Sequence, residues 1–198
     1  MKVNIDRDTG QNMCLVVKKM VCCVTGHRSG GFPFSREEYA LKYLVYMEQM
    51  RKQLLSLICE GYCSFYTGMA EGADLDFAKN ILDLRDREEY DITLTAALPY
   101  PVRPVVLETE YQKMRDEILF SCDRVDVVSP QYHRGCMQKR NQYMVDRSDL
   151  VLAIWNGKQA GGTWNTIRYA RSLGKEIRYI MLDEIGEELL HVPAWNDI

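Results

Sequence analysis

Apolar positions along this chain fall into two rhythms that alternate. Met20-Val21-Cys22-Cys23-Val24-Thr25 is a short unbroken apolar run that stops at Gly26-His27-Arg28, the pattern of a strand covered on both faces. Leu41, Leu44, Val45, Leu54, Leu55 and Ile58 then recur at helical spacing, between a Ser35/Glu38 capping box and a stop at Gly61, which predicts a long first helix. Cys63 to Tyr66 reads as a second strand, and Ala73 to about Arg85, with Leu75, Ala78, Ile81 and Leu82 on one stripe, as a second helix. Ile92 to Leu98 is a third strand, ended at Pro99-Tyr100-Pro101, where proline removes the ladder donor. A helix over Val106 to Phe120, a short strand over Arg124 to Ser129 and a helix over Gln138 to Arg147 follow. Leu150 to Trp155 is the most apolar strand; Thr163 to Leu173 is a helix with Gly174 just past its end, and Ile177 to Leu182 closes the series.

Strand and helix alternating in this way require crossover connections. Right-handed crossovers over a parallel sheet give an α/β fold of the Rossmann-like doubly wound kind, a mainly parallel sheet with helices on both faces. Ligands in that architecture bind beyond the carboxyl ends of the strands, so the loops after the first, second, third and fifth strands carry the interest. Residues 1–13 are mostly polar and aperiodic and read as a flexible N-terminal tail, leaving 14–198 as a single domain.

Composition narrows the classes. With 198 residues and 46% hydrophobic content, the chain supports one buried α/β core. Its apolar runs fall short of the roughly 18 to 20 residues of a membrane span, and no signal-peptide pattern opens it, so a cytoplasmic location is expected. The seven cysteines show no CxxC spacing, and the three histidines, His27, His133 and His191, are not paired at ligand spacing. Reduced thiols and no metal site are the reading. A formal charge of −3 argues against non-specific nucleic-acid binding, although Arg134, Lys139, Arg140 and Arg147 lie close in sequence.

Two glycine-bearing turns carry the candidate chemistry. Thr67-Gly68-Met69-Ala70-Glu71-Gly72-Ala73-Asp74 follows the second strand, and Asn156-Gly157 through Gly161-Gly162-Thr163 follows the fifth. Each opens a helix, and glycine lets backbone amides at a helix start approach an anion. Neither turn is a dinucleotide GxGxxG or a Walker loop. Asp74 is placed to cap its helix and to offer an oxygen to a ribose hydroxyl. Thr25-Gly26-His27-Arg28 brings a fork-shaped cation suited to phosphate and an imidazole to the same edge. Pro99, Arg140 and Asn141 complete the expected binding set. Trp155 and Trp164 flank the second turn, where stacking on a base and core packing both remain open.

The segments Val24-Thr25-Gly26-His27-Arg28, Gly68 to Asp74, Arg140-Asn141-Gln142-Tyr143-Met144-Val145 with Ser148-Asp149, and Gly161-Gly162-Thr163 resemble the YpsA-like branch of the SLOG superfamily. That superfamily comprises Rossmann-like proteins related to DprA and to the LOG (Lonely guy) phosphoribohydrolases. The resemblance spans about Met20 to Leu182 and implies a nucleotide or nucleotide-derived ligand, such as a nucleoside phosphate or an ADP-ribose-like molecule, in the cleft between the glycine turns. LOG enzymes carry Pro-Gly-Gly-x-Gly-Thr-x-x-Glu. Aligning Gly161-Gly162 with its paired glycines puts Arg168 at the glutamate position, and aligning Gly162-Thr163 with its Gly-Thr puts Thr166 there. With no carboxylate in either register, binding or sensing of the ligand is the leading expectation. N-glycosidic hydrolysis of nucleoside monophosphates, with Asp74, Glu71 or His27 in the chemistry, is the alternative, and single-stranded DNA binding is a third. No cofactor is expected; a homo-oligomer remains open.

Overall fold

A computed structural model describes residues 19–34, 40–101 and 109–185. The proposed tail, the domain start at residue 14 and the Ser35/Glu38 capping box lie outside the described residues. Six strands alternate with five helices: β1 (Met20–Gly26), α1 (Ala40–Cys59), β2 (Tyr62–Thr67), α2 (Ala73–Glu88), β3 (Thr93–Leu98), α3 (Glu110–Ser121), β4 (Arg124–Val127), α4 (Cys136–Asp146), β5 (Leu150–Trp155), α5 (Gly161–Ser172) and β6 (Glu176–Met181). The strands form one sheet in the order β4-β3-β2-β1-β5-β6, and every neighbouring pair is parallel. The fold is therefore Rossmann-like and doubly wound, as the alternation predicts.

The two faces of each strand feed two cores. Cys22 and Val24 of β1, Phe65 of β2 and Leu94 of β3 pack with Tyr46, Met50, Leu54 and Leu57 of α1, with Leu75, Phe77, Ile81 and Leu84 of α2, and with Ile118 of α3. Cys23, Tyr66, Ala97 and Val151, one step along their strands, pack with Met144 and Val145 of α4 and Ala170 of α5. Burying each large aliphatic side chain contributes about 1.5 to 3 kcal/mol. The unbroken apolar runs of β1 and β5 follow from this, because neither face of a central strand meets water.

Several boundaries differ from the sequence reading. The third helix begins at Glu110, after an N-cap at Thr109 whose side chain and Gln112 form a reciprocal capping box, so the apolar period running back through Leu107 does not extend the helix across Thr109. Residues 106–108 lie outside the described residues. The fourth helix starts at Cys136, behind Gly135 in the left-handed region, and the fifth starts at Gly161, taking both glycines into its first turn. Ser148 closes α4, its hydroxyl donating to the Met144 carbonyl at 2.8 Å. Asp149 accepts from the Val21 N–H at 3.0 Å and so joins the start of β5 to β1. Among the described residues, no helix is long and apolar enough to cross a membrane.

Candidate functional site

Because β2 lies on one side of β1 and β5 on the other, the chain reverses its winding there, and the loops leaving β1 and β5 part to opposite faces. A crevice opens at that point beyond the carboxyl ends of the strands. Two adjoining cavities occupy it. One, of about 340 Å³, is lined by Thr25, Gly26, His27, Arg28, Asp74, Asn141, Gly162 and Thr163. The other, of about 430 Å³, is lined by Gly68, Met69, Glu71, Pro99, Tyr100, Tyr111 and Arg115. Arg28, Ala70, Met137 and Arg140 border both, so the two chambers form one continuous cleft.

The β1 wall is built by close backbone packing. A methyl group on Gly26 would lie 2.3 Å from the Ala73 Cβ, and one on Gly72 would lie 2.6 Å from the His27 carbonyl oxygen and 2.8 Å from the Ser29 nitrogen. Gly72 also has φ +88°, a conformation in which side chains other than glycine's are strained. The Ala73 N–H donates to the His27 carbonyl at 3.1 Å. Gly72 thus lets the start of α2 lie against the His27–Ser29 backbone, and the first amide of α2 is engaged within the protein. It borders a neighbouring cavity behind the cleft, with Phe32, Phe34 and Tyr43.

The turn before α2 is held from within. The Thr67 hydroxyl donates to the Asp74 carbonyl at 2.8 Å and accepts from the Met69 N–H at 3.2 Å, while Met69 takes φ 57°. Tyr111 donates its hydroxyl to the Met69 carbonyl at 3.2 Å. The helix cap is Gly72, and Asp74, two residues further in, folds its carboxylate back to accept from the Ala70 N–H at 3.3 Å. Burial raises the Asp74 pKa, opposed by the nearby Arg140 charge.

Arg140 is buried, with 5% of its surface exposed, and lies beneath the cleft floor. Its guanidinium donates to the Gly68 carbonyl, more weakly to the Ala97 carbonyl at 3.4 Å, and stands 3.9 Å from Asp74 Oδ2. Burial lowers its pKa and the Asp74 charge opposes that. Its Nε donates to Asn141 Oδ1 at 2.8 Å, Asn141 Nδ2 to the Thr166 hydroxyl at 2.9 Å, and that hydroxyl to the Gly162 carbonyl at 3.0 Å. A single hydrogen-bonded chain therefore ties the turn after β2 to the turn after β5.

The β5 side is open. Ala160, the N-cap of α5, makes no side-chain capping bond, and a methyl group on Gly161 or Gly162 would meet nothing within 4 Å. The first-turn amides of α5 thus have no side-chain cap at the edge of the cleft. Asn156 spans the mouth, donating to the Gly31 carbonyl at 3.2 Å and accepting from the Lys158 N–H at 3.2 Å. Gly157, at φ 77°, turns the chain behind it. Of the predicted binders, Gly72, Asn156, Gly157 and Gly161 are not among the cleft-lining residues. Trp155 and Trp164 stack on each other, ring centroids 5.5 Å apart and planes 9° from parallel.

His27 has one notable atom. Its Nε2 is buried and, among the described residues, has no hydrogen-bond partner. Burial lowers the imidazole pKa, opposed by the polar Asn156 side chain beside it. Because the folded protein disfavours the charged ring, this contribution to stability is complete above the unfolded value of about 6.5 and shrinks as pH falls through it toward the lowered native value. An NMR titration is expected to find His27 midpoint below that of a histidine in the denatured chain; a midpoint at or above it would contradict the buried, neutral ring.

Tyr100, Tyr111, Arg115 and Met137 line the cleft and are not among the binders predicted from the sequence. Tyr111 follows the apolar period of α3 and so looks like core; Arg115, one turn later on the same face, was the available signal. The basic residues between Arg134 and Arg147 do not share one face: Arg140 turns inward, and Arg147 lies over the Tyr143 ring, 3.6 Å from its centroid.

A parallel doubly wound sheet with a polar, arginine-bearing cleft at its switch point defines a Rossmann-like protein, with the cleft where this architecture places its ligands. The family model of the YspA SLOG family (YpsA) matches residues 22–185, nearly the whole of the described fold. The chain belongs to the YspA SLOG family, and membership points to a nucleotide-related function in general. A search of the curated proteins returned no match.

Proposed function

We propose that the cleft captures a phosphorylated nucleoside, either a nucleoside monophosphate or an ADP-ribose-like molecule. A phosphate meets the first turn of α5 and the Arg28 guanidinium, while the sugar and base extend toward Pro99, Tyr100 and Tyr111. The observation that carries this reading is the uncapped start of α5, with Gly162 facing open space and bordering the same 340 Å³ cavity as Arg28. Bare amides at a helix start, with a guanidinium across a narrow gap, are suited to a dianionic phosphate. Tyrosine rings offer a base a surface to stack on. The remaining predicted binders, Thr25, Gly68, Met69, Ala70, Glu71 and Asn141, would shape the walls.

The test is thermal stabilisation by a panel of nucleoside monophosphates and NAD-derived compounds. Gly162→Asp is the informative variant. An acidic residue in the first turn favours the helix and the space is empty, so the apo protein should melt as before, while ligand-induced stabilisation is lost. Arg28→Ala, at an exposed position, should weaken binding roughly tenfold to a hundredfold, as expected for a charge-assisted contact of about 1.5 to 3 kcal/mol. Undiminished binding by Gly162→Asp would defeat the proposal.

One observation favours a hydrolytic reading: His27 lines the cleft and its Nε2 has no hydrogen-bond partner among the described residues, so rotation of the ring that brings this buried nitrogen to the cleft would let it take a proton from water attacking an N-glycosidic bond. Free-base release in the same panel, abolished in His27→Gln while binding persists, is the outcome that would establish it. Asp74, whose carboxylate is occupied by Ala70 and Arg140, serves better as a support than as a base.

A further inference from the structure

The outer edge of the sheet carries an unused surface. Among the described residues β4 pairs with β3 alone, so half of its main-chain N–H and C=O groups face away from the sheet. The Val128 N–H donates to the Leu98 carbonyl at 2.9 Å, and alternation along a strand then turns the amides and carbonyls of Val125 and Val127 outward. Val125 and Val127 are 43% and 49% exposed, and Phe120, at the end of α3, is 94% exposed. Pairing of Val125 with Ala96 and of Val127 with Leu98 puts both valines on the α3 side. Arg124 and Asp126 lie on the other, where the Arg124 Nε donates to Asp126 Oδ1 at 2.6 Å and the Tyr143 hydroxyl donates to Asp126 Oδ2 at 2.8 Å.

Natural edge strands are usually blunted by charge, proline or a bulge against pairing with another chain. Here the sequence Arg124-Val125-Asp126 is complementary to itself when reversed. We propose that β4 is the dimerisation edge, pairing antiparallel with β4 of a second copy about a two-fold axis through Val125. In that register Val125 of one copy lies opposite Val125 of the other and the two exchange main-chain hydrogen bonds, while Arg124 of each copy lies opposite Asp126 of the other in the closer, non-hydrogen-bonded pairs. Opposite charges then face each other at both ends of the seam, and Val125 meets Val125 between them. An unrelated strand would match this pattern only by carrying the same charge order, which is why a second copy is the occupant.

A two-fold contact uses one patch on both partners, so a single strand suffices to close the assembly without forming a fibre. The sheet becomes twelve-stranded and loses its β4 edge. Antiparallel β4 strands point the carboxyl ends of the two sheets in opposite directions, so the two clefts open on opposite sides and neither borrows residues from the other.

Sedimentation equilibrium of the full-length chain over a concentration series tests this. A dimer of the 23.0 kDa chain is expected. Arg124→Asp sets carboxylates opposite carboxylates at both ends of the seam and should halve the mass to that of a monomer, with an unchanged circular dichroism spectrum. The double variant Arg124→Asp/Asp126→Arg restores complementarity in the reversed order and should recover the dimer. A monomeric wild type, as would follow if another part of the chain covered the edge, overturns the proposal. So does a dimer that survives Arg124→Asp, or a folded double variant that stays monomeric. If Arg124→Asp does not fold, Val125→Glu supplies the same decision at an exposed position, with a monomer expected and a persistent dimer contradicting the axis.

Discussion

Gly72→Ala is expected to lower the free energy of unfolding by about 2 to 5 kcal/mol, the sum of about 1 to 2 for a left-handed conformation and about 1 to 3 for overpacking. The added methyl would sit 2.6 Å from the His27 carbonyl, 2.8 Å from the Ser29 nitrogen and 2.9 Å from the Arg28 carbonyl carbon. All three are backbone atoms, so no side chain can rotate away to relieve them. Relief requires the loop after β1 to lift from α2, which breaks the Ala73 to His27 hydrogen bond and displaces Arg28 from the cleft. Chemical denaturation should therefore show the loss of stability, and nucleotide-induced stabilisation should disappear with it. Gly162→Ala is the control: with open space around it, its stability should change by less than about 0.5 kcal/mol. Equal effects of the two substitutions would refute the packing argument.

Arg140→Met is expected to destabilise by about 3 to 5 kcal/mol, the range for removing one partner of a buried ion pair. Methionine fills part of the volume but leaves Asp74 buried without its cation, and it removes the donor to the Gly68 carbonyl. The loss should depend on pH in a defined direction. Without Arg140, burial is opposed only by the Ala70 and Gly68 amides and the Arg28 charge, so the Asp74 pKa should rise further than in the wild type. A carboxyl whose native pKa is raised detracts from stability above its unfolded value, and protonation relieves this as pH falls. The deficit of Arg140→Met should thus narrow on acidification. Asp74→Asn in the same background should recover part of the loss, because the uncompensated charge is gone. Full additivity of the two substitutions would show that the 3.9 Å separation carries no coupling.

Much of the architecture was legible because the central strands are covered on both faces. The run from Leu150 to Trp155, bounded by Asp149 and Asn156, coincides with β5 residue for residue, since an uninterrupted apolar segment of that length with polar ends has few other places to go. Helix starts were harder. The Thr109–Gln112 box lay hidden beneath an apolar period that continued through Leu107, and the start of α5 was set too late because paired glycines look like loop. Strand order is not written in any local pattern: it depends on which helices pack on which face.

The convergence of the loops after β1, β2, β3 and β5 on one cleft followed from the topology rule and was readable early. The division of labour among their residues was not. Gly72 and Gly162 look alike in sequence, yet one is pressed against backbone and the other faces open space, a difference set by how closely α2 approaches β1. Arg140 likewise reads as a ligand contact at a helix start, whereas the inward turn of α4 at Gly135 buries it in the cleft floor, where it holds the Gly68 carbonyl and faces Asp74. Tyr111 and Arg115 became wall residues only because α3 overhangs the turn at Met69.

The face-to-face indoles of Trp155 and Trp164 have a practical consequence. Two π-systems nearly parallel and within van der Waals reach couple their electronic transitions, so the near-ultraviolet dichroism of the folded protein should carry a signature that vanishes on unfolding. Trp164 belongs to the first turn of α5 and Trp155 to the last residue of β5. The pair is thus a native optical gauge astride the loop between β5 and α5, able to report whether the proposed phosphate settles there without any attached label.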